Sequence, residues 1–424
     1  MLYERWRQIA SNSPDRIALR DLTAGEAWTC RELQERTENQ SPIEDSVVFP
    51  QGASAAFIFA VLQAWRANAV VCPQELGQAV PAIHGGLPKG VAHLKTTSAT
   101  TGAPRLVAFT AAQLLADAEN IVGTMGLRPE WPNLSVISLA HSYGFSNLVL
   151  PMLLHGIPLI LVGSGLPEAV RRAAAMEDMV TLAAVPALWG KWHEADAIPP
   201  NVRLAISAGA PLRLKLERDI FENRGLKLHN FYGSTECGGI AYDPSDGPRI
   251  DVSCVGAPMQ NVEVSVKGKG CLNVQGQAVG LTYWPEPNAN LRDGIFRTSD
   301  LAEISDGQVY LRGRAGDQIN VAGRKVLPEA IEEVLAAHPD VRECMTFGVP
   351  SADLGRGETI VACLAVNRDV SEAGLRQFLL NRLPAWQVPR EWWFVDSLAV
   401  NERGKLSRAE WRKTYLEAVR QRSV

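Results

Sequence analysis

Short apolar runs alternate with amphipathic segments through most of the chain. The run VVFP at 47–50 predicts a buried strand, apolar positions at helical spacing over 53–65 predict a helix, and AVVCP at 69–73 predicts a second strand. A strand, a crossover helix and a strand in this order predict a parallel pair. The same alternation continues with a helix over 112–126 and apolar strands at 135–139, 158–163 and 203–207. The pattern therefore predicts a large wound α/β region.

The beginning of the chain predicts two helices with a strand between them. Helical spacing covers 2–11, and an apolar run at 16–21 predicts the strand. Thr29 stands where a helix N-cap is expected, and Glu32 follows at the third helical position. These two residues predict a capping box at the start of the second helix.

The last third of the chain changes character. Period-two runs such as VEVSV within 251–284 predict a β-rich subdomain. The Gly- and Arg-rich run RGRAGDQ at 312–318 is the best candidate for a domain boundary, and the helix and strand patterns beyond it predict a compact α+β domain. We predict an α/β protein with a large wound N-terminal domain over 1–314, which includes the β-rich subdomain, and a small α+β C-terminal domain over 315–424.

Composition and charge narrow the classes of function. The chain has 424 residues, of which 46% are hydrophobic and 21% charged, and its net charge of −4 gives no electrostatic basis for binding nucleic acid or an anionic membrane. The seven cysteines are odd in number and never fall in C-x-x-C spacing, so neither a disulfide framework nor a zinc site is indicated. Without an apolar leader or a spanning run, we expect a cytoplasmic protein, monomeric or homodimeric, that acts on small molecules.

One polar stretch is rich in groups that bind phosphate. TTSATTGAPR at 96–105 holds five hydroxyl side chains, Gly102 and Arg105 within ten positions. Hydroxyls and closely spaced backbone N–H groups donate to phosphate oxygens, and Arg adds charge. The spacing of a P-loop NTPase, G-x-x-x-x-G-K-[ST], is absent. Taken alone, the stretch is equally compatible with an ordinary solvated turn.

Seven further stretches occur in an order that identifies a family by resemblance. Together with TTSATTGAPR, the ordered set resembles the motifs of the adenylate-forming superfamily of acyl- and aryl-CoA synthetases, luciferases and non-ribosomal peptide adenylation domains. The stretches are AHSYGFSN, SAGAPL, FYGSTE, SCVGAPM, FRTSDL, LRGRAGDQINVAGRKVLPEAIE and RGKLSR. The resemblance spans essentially the whole chain.

The resemblance implies an enzyme, an AMP-forming acid–thiol ligase. A carboxylic acid would attack the α-phosphate of ATP to give an acyl-adenylate and pyrophosphate, and the acyl group would then pass to coenzyme A or to the 4′-phosphopantetheine arm of a carrier protein. The family's small C-terminal domain is mobile and rotates about a hinge, here after Arg314, between the two steps.

The same resemblance implies roles for individual residues. The implied catalytic residues are Lys405, Glu236 and Thr235, and the implied Mg²⁺ ligands are Thr97 and Glu236. The implied ATP- and AMP-binding residues are Thr97, Ser98, Thr100, Thr101, Gly102, Gly209, Ala210, Pro211, Tyr232, Gly233, Asp300 and Arg314. The implied acid and thiol pocket consists of His141, Tyr143, Gly144, Gly238 and Gly323, with His141 as a gating or packing residue and not an acid–base catalyst.

The acid is expected to be an aryl or a short to medium acyl acid. An amino acid is disfavoured because the F-D-x-S stretch that holds an α-ammonium is replaced here by HSYGF. An apolar and compact pocket is expected near Tyr143 and the ranges 184–189, 205–207 and 238–240.

Other interpretations remain open at this point. Asp300 is compatible with a hairpin turn, Glu236 with the first turn of a helix and Lys405 with a solvated surface. The chain also departs from the family pattern at Ala99, Arg105, Ser299 and Gly316. These departures motivate an alternative, a degenerate relative that binds ATP or an acyl group without catalysis.

Overall fold

The structure is a computed structural model that describes residues 1–83, 85–97, 105–268, 270–351, 357–367, 370–398 and 407–422. The chain forms two compact units. The first unit comprises Met1–Ser265, Asn273–Thr298 and Ile304–Tyr310, and the second comprises Val266–Leu272, Ser299–Glu303 and Leu311–Val424.

Helices and short strands alternate over the first 258 residues. In chain order the elements are α1 Leu2–Asn12, β1 Ile17–Asp21, β2 Glu26–Thr29, α2 Cys30–Asn39, β3 Val47–Val48, α3 Ala55–Arg66, β4 Val70–Val71, β5 Val91–Thr96, β6 Leu106–Thr110, α4 Ala111–Met125, β7 Asn133–Ser135, α5 Ser142–Gly144, a π-helical turn Phe145–Val149, α6 Leu150–His155, β8 Leu159–Leu161, α7 Pro167–Ala174, β9 Val180–Ala184, α8 Pro186–Glu194, β10 Val202–Ala208, α9 Leu214–Arg224, β11 Leu228–Ser234, β12 Gly238–Tyr242 and β13 Cys254–Pro258.

The rest of the chain begins with strands and ends with a helix. Its elements are β14 Val262–Lys267, β15 Cys271–Gly276, β16 Thr282–Trp284, β17 Leu291–Arg292, β18 Ile295–Ser305, β19 Gln308–Arg314, β20 Ile319–Val321, β21 Arg324–Val326, α10 Pro328–Ala336, β22 Val341–Pro350, β23 Glu358–Val366, α11 Glu372–Leu380, a 3₁₀ turn Ala385–Gln387, β24 Glu391–Phe394 and α12 Arg408–Arg422.

Two sheets organise the first unit. The larger includes the consecutive strands β13-β12-β11-β10-β9-β7-β8-β1-β2, and the consecutive pairs from β11 to β1 are parallel. The smaller has the order β16-β6-β5-β4-β3, in which β3, β4 and β5 run parallel. The predicted α/β class, with a wound N-terminal region and a β-rich part, is confirmed.

Local hydrogen bonds fix the starts of two helices, α2 and α4. The Thr29 side chain accepts from the Glu32 backbone N–H while the Glu32 carboxylate accepts from Thr29, so the predicted capping box is present. Thr110 and Gln113 form the same arrangement at the start of α4. Helix α4 therefore begins directly at the end of β6.

The chain around residue 140 differs from the prediction. Residues 136–139 are not a strand, and AHSYGFSN is not a loop, because α5, the π-helical turn and α6 form one continuous helical segment from Ser142 to His155. Single π-helical turns inside α-helices occur frequently at functional sites.

The second unit contains a small sheet with helices packed on it. Strands β22 and β23 are antiparallel, and β24 lies parallel to β23. Leu335 of α10 and Leu379 of α11 are fully buried in the core of this unit. The predicted α+β character of the C-terminal domain is confirmed. Across the described ranges, no helix has the length and apolarity needed to cross a membrane.

Candidate active site

The polar stretch joins two antiparallel strands. Strands β5 and β6 pair antiparallel with Thr96 opposite Leu106, so the stretch connects the two strands of a hairpin. The Thr97 backbone N–H donates to the Arg105 carbonyl at 2.8 Å, and the Arg105 N–H donates to the Thr97 hydroxyl at 3.3 Å. These bonds close the base of the loop. Its predicted phosphate ligands Ser98, Thr100, Thr101 and Gly102, together with Ala99, lie outside the described residues.

A chain of contacts connects the base of this hairpin to Glu236. The Arg105 guanidinium lies 5.8 Å from the centre of the Tyr283 ring. The Tyr283 hydroxyl donates to the Glu236 carboxylate at 2.9 Å. Burial, and then the Glu236 charge and its hydrogen bond, raise the pKa of Tyr283, so this hydroxyl remains a donor at neutral pH. The structure thus places the two predicted metal ligands, Thr97 and Glu236, at the two ends of one contact chain.

Glu236 lies in the turn of a hairpin. Residues 235–237 connect β11 to β12, which pair antiparallel with Ser234 opposite Gly238. The Glu236 carbonyl accepts from the Gly280 backbone N–H at 2.8 Å, which anchors the turn. The interpretation of Glu236 as a charge in the first turn of a helix is therefore wrong. Its neighbour Cys237 is a buried thiol whose pKa is raised by desolvation, as expected of a packing residue.

The predicted adenine-binding residues lie on or just beyond two adjacent parallel strands. Strand β10 ends at Ala208, opposite Phe231 of β11, and Gly209–Pro211 follow it, whereas Tyr232 and Gly233 are the next residues of β11 and pair with β12. Gly209 has φ +87°, a conformation that favours glycine. In open α/β sheets, ligands bind beyond the carboxyl ends of the strands.

The predicted acid-side residues surround the start of the helical segment. His141 precedes α5, and its Nε2 lies 3.1 Å from a Glu75 carboxylate oxygen. A Cβ on Gly144 would lie 1.9 Å from the Ser138 carbonyl oxygen, so only glycine fits here. The Tyr143 hydroxyl is buried and has no hydrogen-bond partner among the described residues. Burial raises the pKa of Tyr143, so it keeps its proton for donation.

Part of the expected acid-pocket lining belongs instead to the core. Trp189 is fully buried, donates from Nε1 to the Ile206 carbonyl at 3.1 Å and packs edge-on against Trp192. Ala184 and Ala205 are also fully buried in this core cluster. These three side chains support the strands that end at the site and do not line solvent-accessible space.

Asp300 and Arg314 form an ion pair in the second unit. The Arg314 Nε donates to an Asp300 carboxylate oxygen at 2.9 Å, and the Asp300 side chain is only 15% exposed. Asp300 lies within β18, so the interpretation of it as a hairpin-turn residue is wrong. Two of the predicted ATP- and AMP-binding residues are thus in direct contact.

The last two predicted positions lie near opposite ends of the second unit's sequence. Gly323, with φ +82°, and Ala322, with φ +52°, form the two-residue turn between β20 and β21. Lys405 lies outside the described residues. Arg408, three positions later, binds carboxylate oxygens of Asp317, Glu329 and Glu332 at 2.7–3.0 Å, which fixes the start of α12 to this unit.

Comparisons with known proteins decide the family. A model of the AMP-binding enzyme family matches residues 74–284, and a model of the AMP-binding enzyme C-terminal domain matches residues 330–405. The chain belongs to the adenylate-forming family of AMP-binding enzymes. The predicted resemblance is confirmed, since both of the family's characteristic domains are matched in order.

Individual relatives are more distant than the family match. A feruloyl-CoA synthase from a Streptomyces species is 28% identical over 343 residues, which cover 76% of this chain and 69% of that protein. A 2-succinylbenzoate–CoA ligase from Geobacillus kaustophilus is 28% identical over 341 residues, with the same coverage of 76% and 69%. ATP-bound MatB from Rhodopseudomonas palustris superposes with a TM-score of 0.86 over 99% of this chain and 100% of that chain, at 22% identity, which shows a shared fold.

In this adenylate-forming chain, two functional candidates escaped the sequence analysis. Tyr283 and Glu75 lie outside the recognised motifs and reach Glu236 and His141 only through the fold. Their residue types alone carry no signal. In the structure Tyr283 pairs with Val107, two residues after Arg105.

Proposed function

We propose that the protein activates a compact aryl or short to medium acyl carboxylic acid with ATP, releases pyrophosphate and transfers the acyl group to coenzyme A. The observation that carries the proposal is the contact chain from Thr97 through Arg105 and Tyr283 to Glu236. These contacts connect the base of the hairpin that carries the phosphate-type stretch to the Glu236 carboxylate. The family to which the chain belongs activates acids as adenylates. A purely acyl-binding module has no need of this arrangement.

The chemistry has two steps. An oxygen of the acid's carboxylate attacks the α-phosphorus of ATP, an O–P bond forms, and the bond to the pyrophosphate oxygen breaks. A thiolate of coenzyme A then attacks the acyl carbon, the C–S bond forms, and AMP leaves with the mixed-anhydride oxygen. In the first step negative charge accumulates around the transferring phosphorus, so donors and cations in fixed positions accelerate it.

The chain's residues divide these tasks. Glu236 and Thr97 would hold Mg²⁺, which would neutralise phosphate charge when bound; one carboxylate with a hydroxyl suits this ion, since Mg²⁺ is usually held by one or two carboxylates plus phosphate oxygens. Tyr283 orients the Glu236 carboxylate. The backbone turn at Gly209 and the Tyr232 ring bind adenine, and Asp300 accepts from the ribose hydroxyls.

The acid is proposed to carry a hydrogen-bond acceptor on an apolar body. The buried Tyr143 hydroxyl lacks a partner among the described residues, and an unsatisfied buried donor costs about 1–3 kcal/mol. An acid with a suitably placed acceptor would satisfy it. Replacing Tyr143 with Phe should therefore narrow the difference in kcat/KM between acids with and without that acceptor.

Lys405 is proposed to supply positive charge in the first step only. We propose that residues 315–424 rotate as a body about a hinge after Arg314, which withdraws Lys405 and brings the turn at Gly323 to the thiol. The Arg408 contacts support this, because they bind Asp317, just beyond that hinge, to the helix that follows Lys405. The Lys405→Ala variant should lose adenylation and retain acyl transfer from chemically made acyl-adenylate.

The acceptor and the cellular setting complete the proposal. Coenzyme A is favoured over a carrier protein because the curated relatives named above are a CoA synthase and a CoA ligase. All seven cysteines are unpaired thiols, which suits the reducing cytoplasm. The enzyme is proposed to act there as a monomer or homodimer.

A screen of pyrophosphate release tests the proposal. The protein is incubated with Mg²⁺ and ATP and a panel of aryl and alkyl acids, each with and without coenzyme A, and Lys405→Ala serves as the matched control. We expect release that depends on one class of acid and on Lys405. Release that no acid stimulates would favour the alternative, a non-catalytic relative, while stimulation by a carrier-protein thiol but not coenzyme A would overturn the proposed acceptor.

A further inference from the structure

A buried ion pair lies beneath the acid side of the candidate site. The Lys95 ammonium is 3.4 Å from an Asp117 carboxylate oxygen, and both side chains are 2% exposed. Ser146 lies between them, accepting from Lys95 at 2.9 Å and donating to Asp117 at 2.6 Å. The Lys95 ammonium also lies 4.7 Å from the centre of the Phe109 ring. We call Lys95, Asp117 and Ser146 the buried polar triad.

The triad connects segments that lie in or next to three of the recognised motifs. Lys95 lies in β5, two residues before Thr97, and Ser146 lies in the π-helical turn, two residues after Gly144. Asp117, from α4, reaches the third segment, because its other carboxylate oxygen accepts from the Gly239 backbone N–H at 3.4 Å. No family motif contains Asp117 itself, so the fold alone brings it there.

Gly238 is shaped around this carboxylate. Its φ is +69°, and a Cβ on it would lie 2.0 Å from the Asp117 carboxylate oxygen. Because the carboxylate occupies the space of a side chain, Asp117 fixes the path by which β12 leaves the Glu236 turn. The triad therefore sets the separation between the helical segment after His141 and the backbone at Gly238.

Stability alone does not account for such a triad. Removing two charges from water costs more than their attraction usually returns, and well-packed apolar residues of similar volume are often as stable or more stable. A buried polar group that is fully hydrogen-bonded does, however, specify one arrangement of its neighbours. The triad's physical contribution is thus geometric.

We propose that the buried polar triad is a positioning device that sets the width of the acid pocket and so determines which acids are activated. The inference rests on the proposed function and deepens it. We expect the triad to affect acid selectivity and not ATP binding. The strand that leads to Thr97 is held by backbone pairing of β5 with β6, in which Lys95 lies opposite Val107. This pairing does not depend on the side chain at position 95. The contacts that link the helical segment at Ser146 to the backbone at Gly239, in contrast, are made by the triad's side chains.

The test separates geometry from stability. One variant replaces the whole triad with apolar groups, Lys95→Met, Asp117→Leu and Ser146→Ala, and a second carries Lys95→Met alone. Ile121→Val, a fully buried apolar change one turn along α4, is the control for altered packing. Melting temperature, KM for ATP and kcat/KM for each acid of the panel are measured for all proteins.

We expect the triple variant to melt near the wild type, since paired replacement removes both charges, and Lys95→Met to melt well below it because Asp117 is left buried and unpaired. In the triple variant kcat/KM for the best acid should fall on the order of 100-fold, as small displacements of reacting groups do. The ranking of the acids by kcat/KM should change. KM for ATP should stay within about threefold of the wild-type value, because it would change only if the phosphate-type loop moved together with the acid pocket.

Two results would overturn the inference. A folded triple variant with the wild-type ranking of acids would show that the triad has a packing role only. A rise in KM for ATP as large as the fall in kcat/KM for the acid would show that the triad serves the phosphate-type loop. Binding of two stable probes, the sulfamoyl adenosines of benzoate and of hexanoate, is followed by calorimetry as a readout without turnover. If the wild type activates no acid, the proposed function fails. The probes still test the triad in that case: a changed ratio of the two probe affinities in the triple variant supports its role, and an unchanged ratio rejects it.

Discussion

Tyr283→Phe offers a direct test of how Glu236 is held. The Tyr283 hydroxyl donates to the Glu236 carboxylate at 2.9 Å, and the ring is only 8% exposed. Phe keeps the ring and its packing, so the variant removes little more than one hydrogen bond to a charged group, worth about 1.5–3 kcal/mol. Outer-sphere partners of metal ligands typically contribute about 10- to 100-fold in metal affinity or activity.

The expected result is a loss specific to the magnesium–nucleotide complex. KM for Mg·ATP should rise about 10- to 100-fold, which corresponds to roughly 1.4–2.7 kcal/mol. KM for the acid should change little, because none of the observed contacts of Tyr283 involves the acid-side residues. The assay is pyrophosphate release at saturating acid over a range of Mg·ATP concentrations, with ATP binding measured separately by calorimetry with and without Mg²⁺.

Tyr3→Phe is the matched control. The Tyr3 hydroxyl donates to Glu38 at 3.3 Å, and neither residue is a predicted site residue. Partial burial, followed by the Glu38 charge, raises the pKa of Tyr3 to about 12. Both hydroxyls therefore stay protonated across the assay range. The reasoning is refuted if Tyr283→Phe leaves KM for Mg·ATP unchanged, or if Tyr3→Phe raises it as much.

Three further predictions concern binding, pH and strain. Asp300→Ala should weaken ATP binding in calorimetry by roughly 3–6 kcal/mol, because two charge-assisted hydrogen bonds from the ribose hydroxyls would be lost. Glu303→Ala, on the same strand, breaks a similar pair with an arginine and should leave ATP binding unchanged. Equal effects of the two variants would reject the ribose role of Asp300. Burial, and then the charge of a nearby lysine, lower the pKa of His93. Because the unfolded chain binds a proton at this histidine below about pH 6.5 and the folded state does not, stability falls as the pH drops. His93→Phe should reduce the pH dependence of the urea-unfolding free energy between pH 7.5 and 5.5, and an unchanged pH dependence would contradict this. Ala322→Gly should raise the unfolding free energy by about 0.5–1 kcal/mol, because φ is +52° at this position. Ala337→Gly, at φ −80°, should lower it. A lower unfolding free energy in both variants would show that the turn at Ala322 is unstrained.

Local hydrogen bonding and motif order were readable from the sequence. The Thr29–Glu32 capping box depends on residues three positions apart, so no knowledge of the fold is needed to predict it. The order of the motifs predicted the family, and the hydrophobic patterns predicted the fold classes of both domains, because each signal depends on short stretches of neighbouring residues.

Features that depend on distant contacts were not readable. The π-helical turn after Gly144 looked like a loop because its Ser and Asn side chains suit turns, whereas burial against α4 stabilises it as helix. The Lys95–Asp117 pair could not be predicted, because the two residues stand 22 positions apart on a strand and a helix. Trp189 was expected near the acid pocket, but the packing of its helix places the ring in the core.

The central claim is that the acid's carboxylate attacks the α-phosphorus of ATP. Isotope transfer tests it most directly: the best acid of the panel, labelled with ¹⁸O in its carboxylate, is converted with ATP, Mg²⁺ and coenzyme A, and the AMP produced is analysed by mass spectrometry. The account predicts one ¹⁸O in each AMP, because the oxygen that joins acid to phosphorus leaves with the nucleotide when the thiol attacks. Unlabelled AMP, or formation of ADP in its place, would contradict it.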